Sequence, residues 1–309
     1  MKAILLFSGG LDSILAVKIL REQKVRVFPV FFKSYFFGPE IALKSARNLN
    51  LKLRIFDFSK EHLEIVKRPK FGWGKGMNPC LDCKILMLKK AKEIMKEIGA
   101  DFVATGEVVG ERPFSQKMST LSLIEKESSL KGYLLRPLSA KLLEPTHLEK
   151  KGLIKREALF DIQGRRRVRQ IELAKKFKIT FYPSPSGGCI LTDLEFSKKL
   201  KELLESYPEF QEDDVELLKL GRHPSLLKKE GVKIVIGRNE KENERLKKLA
   251  KKGDILIEII NYPSPLTLIR PYRGEIKKEI IEKAKSLTKY YAKKAREKKD
   301  IKFEVITLG

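Results

Sequence analysis

Two groups of residues carry chemistry. The first is Ser8-Gly9-Gly10-Leu11-Asp12-Ser13, which follows the apolar run Ile4-Leu5-Leu6-Phe7. Consecutive glycines after a buried strand let the backbone turn tightly and bring bare N–H groups against phosphate, and a following helix points its positive end at the same anion. Ser8 and Ser13 add hydroxyl donors. Asp12 is out of place beside polyphosphate unless something positive stands between them, so its expected task is to coordinate or orient Mg²⁺. The plain alternative is a strand-to-helix turn in which Asp12 merely caps the helix.

The second group is Cys80, Cys83 and Cys189, the only cysteines in the chain. An odd, sparse set is not a disulfide framework. Cys80 and Cys83 stand in Asn78-Pro79-Cys80-Leu81-Asp82-Cys83-Lys84 at the expected start of a helix, where unpaired N–H groups favour thiolate. Cys189 ends Ser186-Gly187-Gly188-Cys189 in a loop. Three arrangements suit this set. Three thiolates can hold a 4Fe-4S cluster with one iron open to sulfide. Cys83 and Cys189 can relay a persulfide. Zinc with a fourth ligand such as His147, or plain buried cysteines, is the remaining possibility.

The elements that must position these groups follow from hydrophobic spacing. Strands are expected over residues 2–7, 25–32, 51–58 and 102–105, with a fifth over 133–138, and helices over 14–22, 41–49 and 81–98. This alternation implies an α/β fold built on a doubly wound parallel sheet. Residues 68–79 hold three glycines, two prolines and the single tryptophan, which marks a mobile loop ending at the first cysteine. Residues 147–178 read as strongly helical and contain Arg165, Arg166, Arg167 and Arg169. A domain edge is expected near 196–206, giving units 1–200 and 201–309. The second reads as a smaller α+β domain: strands at 232–236, 255–260, 266–269 and 301–306, and helices at 240–251 and 275–298. The last helix is dense in lysine.

The chain carries 65 Lys and Arg against 40 Asp and Glu, a formal charge of +25 over 309 residues. A heat-adapted surface pairs both signs and leaves little net charge, so polyanions, nucleic acid above all, are the natural partners. No apolar run approaches a membrane helix and the start lacks the regions of a cleavable signal. A soluble, cytoplasmic protein with no membrane partner is expected.

The complete Ser8 to Ser13 string resembles the signature of PP-loop ATP pyrophosphatases, of HUP-like fold. That resemblance implies ATP cleaved between its α and β phosphates, with Ser8, Gly9, Gly10, Leu11, Asp12 and Ser13 binding the nucleotide and Asp12 catalytic. The element Asn78-Pro-Cys-x-x-Cys83 resembles that of tRNA 2-thiouridylases, and the Cys189 loop resembles the segment carrying their second reactive cysteine. This assigns catalytic roles to Cys83 and Cys189. Cys80 departs from the pattern, where an acidic residue is usual, and matches cluster-dependent tRNA thiolases, in which Cys80, Cys83 and Cys189 would be the metal ligands.

Thr105-Gly106-Glu107, Ser115-Gln116 and Leu135-Arg136-Pro137-Leu138 are similar to a run in tRNA 4-thiouridine synthetases, implying that Gly106 permits close approach of the nucleotide. Lys84 and Arg112 are further expected phosphate or RNA contacts. The resemblance spans about residues 1–195, without the amino-terminal RNA-binding module of the 4-thiouridine type. Gly221-Arg222-His223 and the run 237–243 resemble a small RNA-associated module.

Together these imply a tRNA thiolation enzyme using ATP, Mg²⁺ and a 4Fe-4S cluster, with tRNA and a sulfide or persulfide donor as partners and room for a homodimer. Basic residues at 165–169 and 275–298 would hold the RNA backbone. The rivals are a PP-loop pyrophosphatase of small molecules, which leaves the cysteines and the charge unused, and a non-catalytic RNA-binding protein with a vestigial nucleotide site.

Overall fold

The apolar start forms β1 (Lys2–Leu6), which enters α1 (Leu11–Glu22) through an extended Gly10 that caps the helix without a side-chain hydrogen bond. The helix starts at Leu11 rather than at residue 14 because the glycine loop supplies its first turn. There follow β2 (Arg26–Lys33), α2 (Glu40–Asn48), β3 (Arg54–Asp57), α3 (Ser59–Lys67), α4 (Cys80–Glu97), β4 (Phe102–Thr105), α5 (Met118–Glu127), the short β5 (Leu134–Leu135), α6 (His147–Lys150) and α7 (Val168–Lys176). This computed structural model describes residues 1–184, 189–224 and 227–309.

The five strands are parallel, in the order β3-β2-β1-β4-β5. The order reverses between β1 and β4, so the carboxyl ends of these two neighbours border the crevice where open α/β sheets take ligands. Successive residues of a strand point to opposite faces. Ala3 and Leu5 of β1 accordingly pack with Leu15, Ala42 and Leu173 of α1, α2 and α7, while Ile4 packs with Leu88 and Ile124 of α4 and α5. Each fully buried leucine or isoleucine in these layers contributes on the order of 2 kcal/mol.

Three differences from the sequence reading have physical causes. Helices α3 and α5 escape periodicity because each buries a narrow stripe, Leu63 and Val66 in α3 and Leu121 and Ile124 in α5. Residues 147–178 are not one helix: Gly152 and Gly164 take positive φ (67° and 83°) and break it into α6, α7 and irregular chain. Their apolar residues Ile154, Leu159 and Ile162 still enter the core. Residues 68–79 are pinned rather than loose, because the Asp82 carboxylate accepts from the Lys70 and Phe71 amides at 3.1 and 3.0 Å.

The chain divides into two compact units, Met1–Thr192 and Asp193–Gly309. The boundary expected at 200/201 falls inside α8 (Leu194–Ser206), which Asp193 caps through the Phe196 amide. Then come α9 (Glu212–Leu218), α10 (Leu227–Glu230), β6 (Val232–Ile236), α11 (Glu240–Leu249), β7 (Ile255–Ile259), β8 (Thr267–Pro271), α12 (Lys278–Tyr291) and β9 (Phe303–Thr307). The strands form an antiparallel sheet in the order β6-β8-β7-β9. Ile280 and Ala284 of α12 cover one face, and Leu217 and Leu246 of α9 and α11 cover the other. The helix expected over 275–298 is thus α12 alone. Fully buried Arg270 is bonded to Asp254 and Asp214 at 2.8 and 3.0 Å, an ion-paired anchor within the sheet.

Candidate active site

The glycine loop lies at the carboxyl end of β1. Gly9 takes φ +77°, and a Cβ there would sit 2.7 Å from the Ala42 Cα, so only glycine lets the loop lie against α2. The Gly9 carbonyl accepts from the Ser45 hydroxyl at 2.7 Å, and the Ser13 hydroxyl donates to the Gly10 carbonyl at 2.8 Å. Leu11 is buried and serves the loop through its backbone alone. With no side-chain cap at Gly10, the first-turn N–H groups of α1 remain available to an anion.

Asp12 is met by a positive group from far along the chain. Arg167 donates from Nη2 to Asp12 Oδ2 at 2.8 Å and from Nε to Glu111 Oε1 at 3.2 Å. The other Asp12 oxygen, Oδ1, is buried and has no hydrogen-bond partner among the described residues, a lone pair suited to a hard cation. Burial, and then the negative charge of Asp12, raises the Glu111 carboxyl above its ordinary range against the pull of Arg167. The basic run at 165–169 is therefore not all surface for RNA. Arg167 faces the loop and Arg169 pairs with Asp161 at 2.7 Å. A cation beside Asp12 was the signal that could have singled out Arg167; its sequence separation hid which one.

Gly106, at the carboxyl end of β4, has a role different from the expected one. A Cβ there would lie 2.5 Å from the Asp12 carbonyl carbon and the Ser13 nitrogen. The glycine thus admits the first turn of α1, and the close backbone approach is protein on protein. Glu107 follows, receiving Lys84 Nζ on one oxygen and Arg136 Nε at 3.0 Å on the other. Burial alone would raise the Glu107 carboxyl, but Lys84 and Arg136 hold it at about 2. Lys84 is therefore a partner of Glu107 rather than a free phosphate contact. Ser115 and Gln116 are buried, with Gln116 Oε1 accepting from the Arg112 amide at 2.9 Å.

Cys80 and Cys83 occupy the first turn of α4. Residues 185–188, including Ser186, Gly187 and Gly188, lie outside the described residues, but Cys189 is described. Its segment is tied to the loop before Cys80 by the Met77 amide donating to the Leu191 carbonyl at 3.0 Å, and the Ile190 amide reaches the Phe36 carbonyl at 3.4 Å. The three thiols share one environment. Cys83 is raised well above the usual range by burial and then by Cys189 and Cys80, Cys189 is raised to about 11 by burial and then Cys80, and burial raises Cys80 against the pull of Lys84 and Arg112. Desolvation thus overrides the helix terminus that favours thiolate, whose effect is only about 0.3–1 kcal/mol. His147 is not a fourth ligand: it packs edge-on against Tyr133 at 4.9 Å. Among the described residues no group of three or more His, Cys, Asp and Glu is placed to hold a single metal ion, although a cubane cluster spreads its thiolates wider than one ion does.

A continuous path joins the two groups. Cys83 neighbours Lys84, Lys84 binds Glu107, and Gly106 abuts Asp12 and Ser13. Residues 1–142, which carry Ser8 to Ser13, Cys80, Cys83 and Gly106, match the profile of the family described as Thiamine biosynthesis protein (ThiI). That match takes in the whole parallel sheet, β1 to β5. Arg167 and Cys189 lie beyond the matched segment. Residues 221–308 match the family described as NFACT protein RNA binding domain.

Among curated relatives, the tRNA-specific 2-thiouridylase MnmA of Petrotoga mobilis is 27% identical over 248 residues, covering 72% of this chain and 64% of that protein. The Probable tRNA sulfurtransferase of Thermococcus kodakarensis is 29% identical over 146 residues, 44% of this chain and 36% of that protein. The chain therefore spans less than two thirds of the length of these relatives. A solved structure described as a 4-thiouridine synthetase - RNA complex with bound ATP is 22% identical and covers 71% of this chain and 52% of its own, at a TM-score of 0.38. Among the described residues no helix is long and apolar enough to cross a membrane.

Proposed function

We propose that this protein thiolates tRNA, activating a uridine carbonyl with ATP and exchanging its oxygen for sulfur. The observation that carries the reading is the Cys83-Lys84-Glu107-Gly106-Asp12 path, which links a phosphate loop to a set of three thiols. In the first step the uridine oxygen attacks the α-phosphorus. The bond to the bridging oxygen between the α and β phosphates breaks, and pyrophosphate departs. Backbone N–H groups of Gly10 to Ser13 stabilise its charge, and Arg167 keeps Asp12 from repelling it. Mg²⁺ would be held by the free Oδ1 of Asp12 together with the phosphates, as this ion usually is. In the second step sulfide attacks the activated ring carbon, and AMP leaves with the former carbonyl oxygen. Where the donor is instead a persulfide on Cys189, its outer sulfur makes that bond, the Cys83 thiolate then breaks the S–S bond to release the thiouridine, and the resulting Cys83–Cys189 disulfide is reduced by an external thiol.

Cys80, Cys83 and Cys189 would hold a 4Fe-4S cluster, which supplies a soft iron site for sulfide when bound. The shared environment of the three thiols supports this donor set. The second unit would hold tRNA, a role supported by its match to an RNA-binding domain and by the exposed lysines of α12.

The test is pyrophosphate release with and without tRNA, alongside transfer of labelled sulfide into tRNA by anaerobically purified protein. Appearance of the label in small molecules instead of tRNA, or pyrophosphate release indifferent to tRNA, would favour a small-molecule pyrophosphatase. Absence of any ATP turnover would favour an RNA-binding protein with a silent loop. Iron and sulfide analysis after reconstitution, compared with a Cys80→Ser variant, decides between cluster and persulfide.

A further inference from the structure

Two large aromatic side chains stand exposed on the loops bordering Cys80. Trp73 is 42% and Phe114 46% accessible. Neither exposure comes from slack chain. Trp73 donates from Nε1 to the Val66 carbonyl at 2.9 Å, and the Gly74 amide closes the loop on the Asn78 carbonyl at 2.9 Å, just ahead of Cys80. Phe114 sits on a turn closed by the Gln116 amide donating to the Arg112 carbonyl and the Arg112 amide donating to Gln116 Oε1, both at 2.9 Å. Its neighbours Ser115 and Gln116 are buried, so the turn is anchored from beneath while the ring is left outside. The two loops touch: a Cβ on Gly74 would lie 3.3 Å from Cδ1 and Cε1 of Phe114, which only a residue without a side chain accommodates comfortably.

The exposed charges beside these rings are cations, while the neighbouring Glu111 is bonded to Arg167. Arg112, Lys75 and Lys117 are exposed and make no ion pair with a described residue. An isolated exposed apolar residue is ordinary. Two rigid aromatic faces interleaved with exposed cations are the pattern of single-stranded nucleic-acid sites, where bases stack on rings and phosphates meet Lys and Arg. An apolar peptide would have no use for the three cations.

We propose that Phe114 and Trp73 form the stacking shelf for an unpaired RNA base presented at the cysteines, with Arg112, Lys75 and Lys117 receiving the flanking phosphates. The inference rests on the thiolation reading for the identity of the base, a uridine taken out of its stack. A base chemically altered in a pocket must leave the helix first, and a shelf at the rim offsets part of the lost stacking. Stacking reads the face of the ring and not its edge, so the shelf holds any base, and selection of the target lies elsewhere.

Trp73 is the single tryptophan of the chain and serves as the reporter. Its fluorescence is titrated with a short uridine oligoribonucleotide and with an abasic strand of equal length. Quenching that saturates with the uridine strand and weakens sharply with the abasic one is expected. Phe114→Ala weakens the uridine strand by about 5- to 100-fold, Phe114→Tyr restores it, and Phe114→Leu, apolar but without a π face, does not. With full tRNA, Phe114→Ala raises the KM for tRNA while leaving the KM for ATP and the melting midpoint in place. Equal binding by wild type, Phe114→Ala and Phe114→Leu overturns the shelf, as does displacement of the strand by an apolar peptide. The readouts separate the two ideas. A tRNA-independent enzyme whose Trp73 signal still depends on Phe114 loses the thiolation reading and keeps the shelf; thiolation undiminished in Phe114→Ala does the reverse.

Discussion

Arg167 and Asp12 meet at 2.8 Å although 155 positions separate them, so the acidic residue of the phosphate loop is neutralised by a residue that no local motif contains. Replacing Arg167 with Gln leaves the Asp12 and Glu111 carboxylates facing incoming polyphosphate. A hydrogen bond to a charged group is worth about 1.5–3 kcal/mol, so the KM for ATP should rise roughly 10- to 100-fold. Arg167→Lys keeps the charge without the two-pronged geometry and should fall between. Pyrophosphate-release kinetics across ATP concentrations measure this, and an unchanged KM in Arg167→Gln removes Arg167 from the nucleotide site.

Gly106→Ala tests the junction of β4 with α1. The added methyl would stand 2.5 Å from backbone atoms of Asp12 and Ser13, which cannot swing aside as a side-chain tip would. Overpacking of this kind costs about 1–3 kcal/mol, and here it also displaces the phosphate loop. We expect a lowered melting midpoint together with impaired ATP use. Gly10→Ala is the contrast: its φ is −74° and the nearest atom is 3.5 Å away, so its stability should be nearly that of wild type.

Much of this unit was legible because its signals are local. The loop 8–13 follows a buried strand, the strands of the parallel sheet are short apolar runs, and the fold class follows from their alternation with helices. The site was less legible because its decisive contacts are long range. Arg167 sits in a run that looks like an RNA-binding surface, yet one of its members turns inward while Arg169 pairs with Asp161. Gly106 looked like a nucleotide contact, and only the folded chain reveals that α1 fills the space. Phe114 and Trp73 carried no signal, since exposure of an aromatic residue is a property of the fold.

Glu107 holds two cations on its two oxygens in a buried setting. Glu107→Gln removes the charge, leaving Lys84 uncompensated and Arg136 with Glu125 as its remaining acidic partner, and breaking such a buried pair costs about 3–5 kcal/mol. A second substitution, Lys84→Met, should recover part of that loss, because it removes the stranded charge. Denaturant unfolding of the two single variants and the double variant gives the coupling directly. Strict additivity would mean that Lys84 and Glu107 do not sense one another.

His62 makes the amino-terminal unit sensitive to mild acid. It is buried, stacked on Phe58 at 5.0 Å and bonded to Ser34 Oγ at 2.6 Å, and burial lowers its pKa to about 4 from 6.5. A depressed folded-state pKa means that the unfolded chain takes the proton first, so stability is full above pH 6.5 and drains as the pH falls toward 4. The whole effect is on the order of 3 kcal/mol. His62→Phe should flatten the stability-pH curve between these limits, whatever it does to stability at neutral pH. Chemical denaturation at stepped pH reads the slope, and an equally steep curve in the variant would assign the acid sensitivity elsewhere.

The lysines of α12 should act on RNA through charge alone. Ile280, Ala284 and Thr288 face the sheet, whereas Lys278 and Lys283, and Lys293 just beyond the helix, are exposed. Reversing these three to Glu therefore leaves the packing of the second unit intact. Each phosphate contact adds about 0.7 to 0.9 to the slope of log affinity against log salt, so the triple variant should bind tRNA more weakly at low salt and with a slope shallower by roughly 2 to 3. Binding measured over a salt series gives both numbers. A lower affinity with an unchanged slope would point to damaged structure rather than lost phosphate contacts, and an unchanged affinity would move the RNA surface off α12.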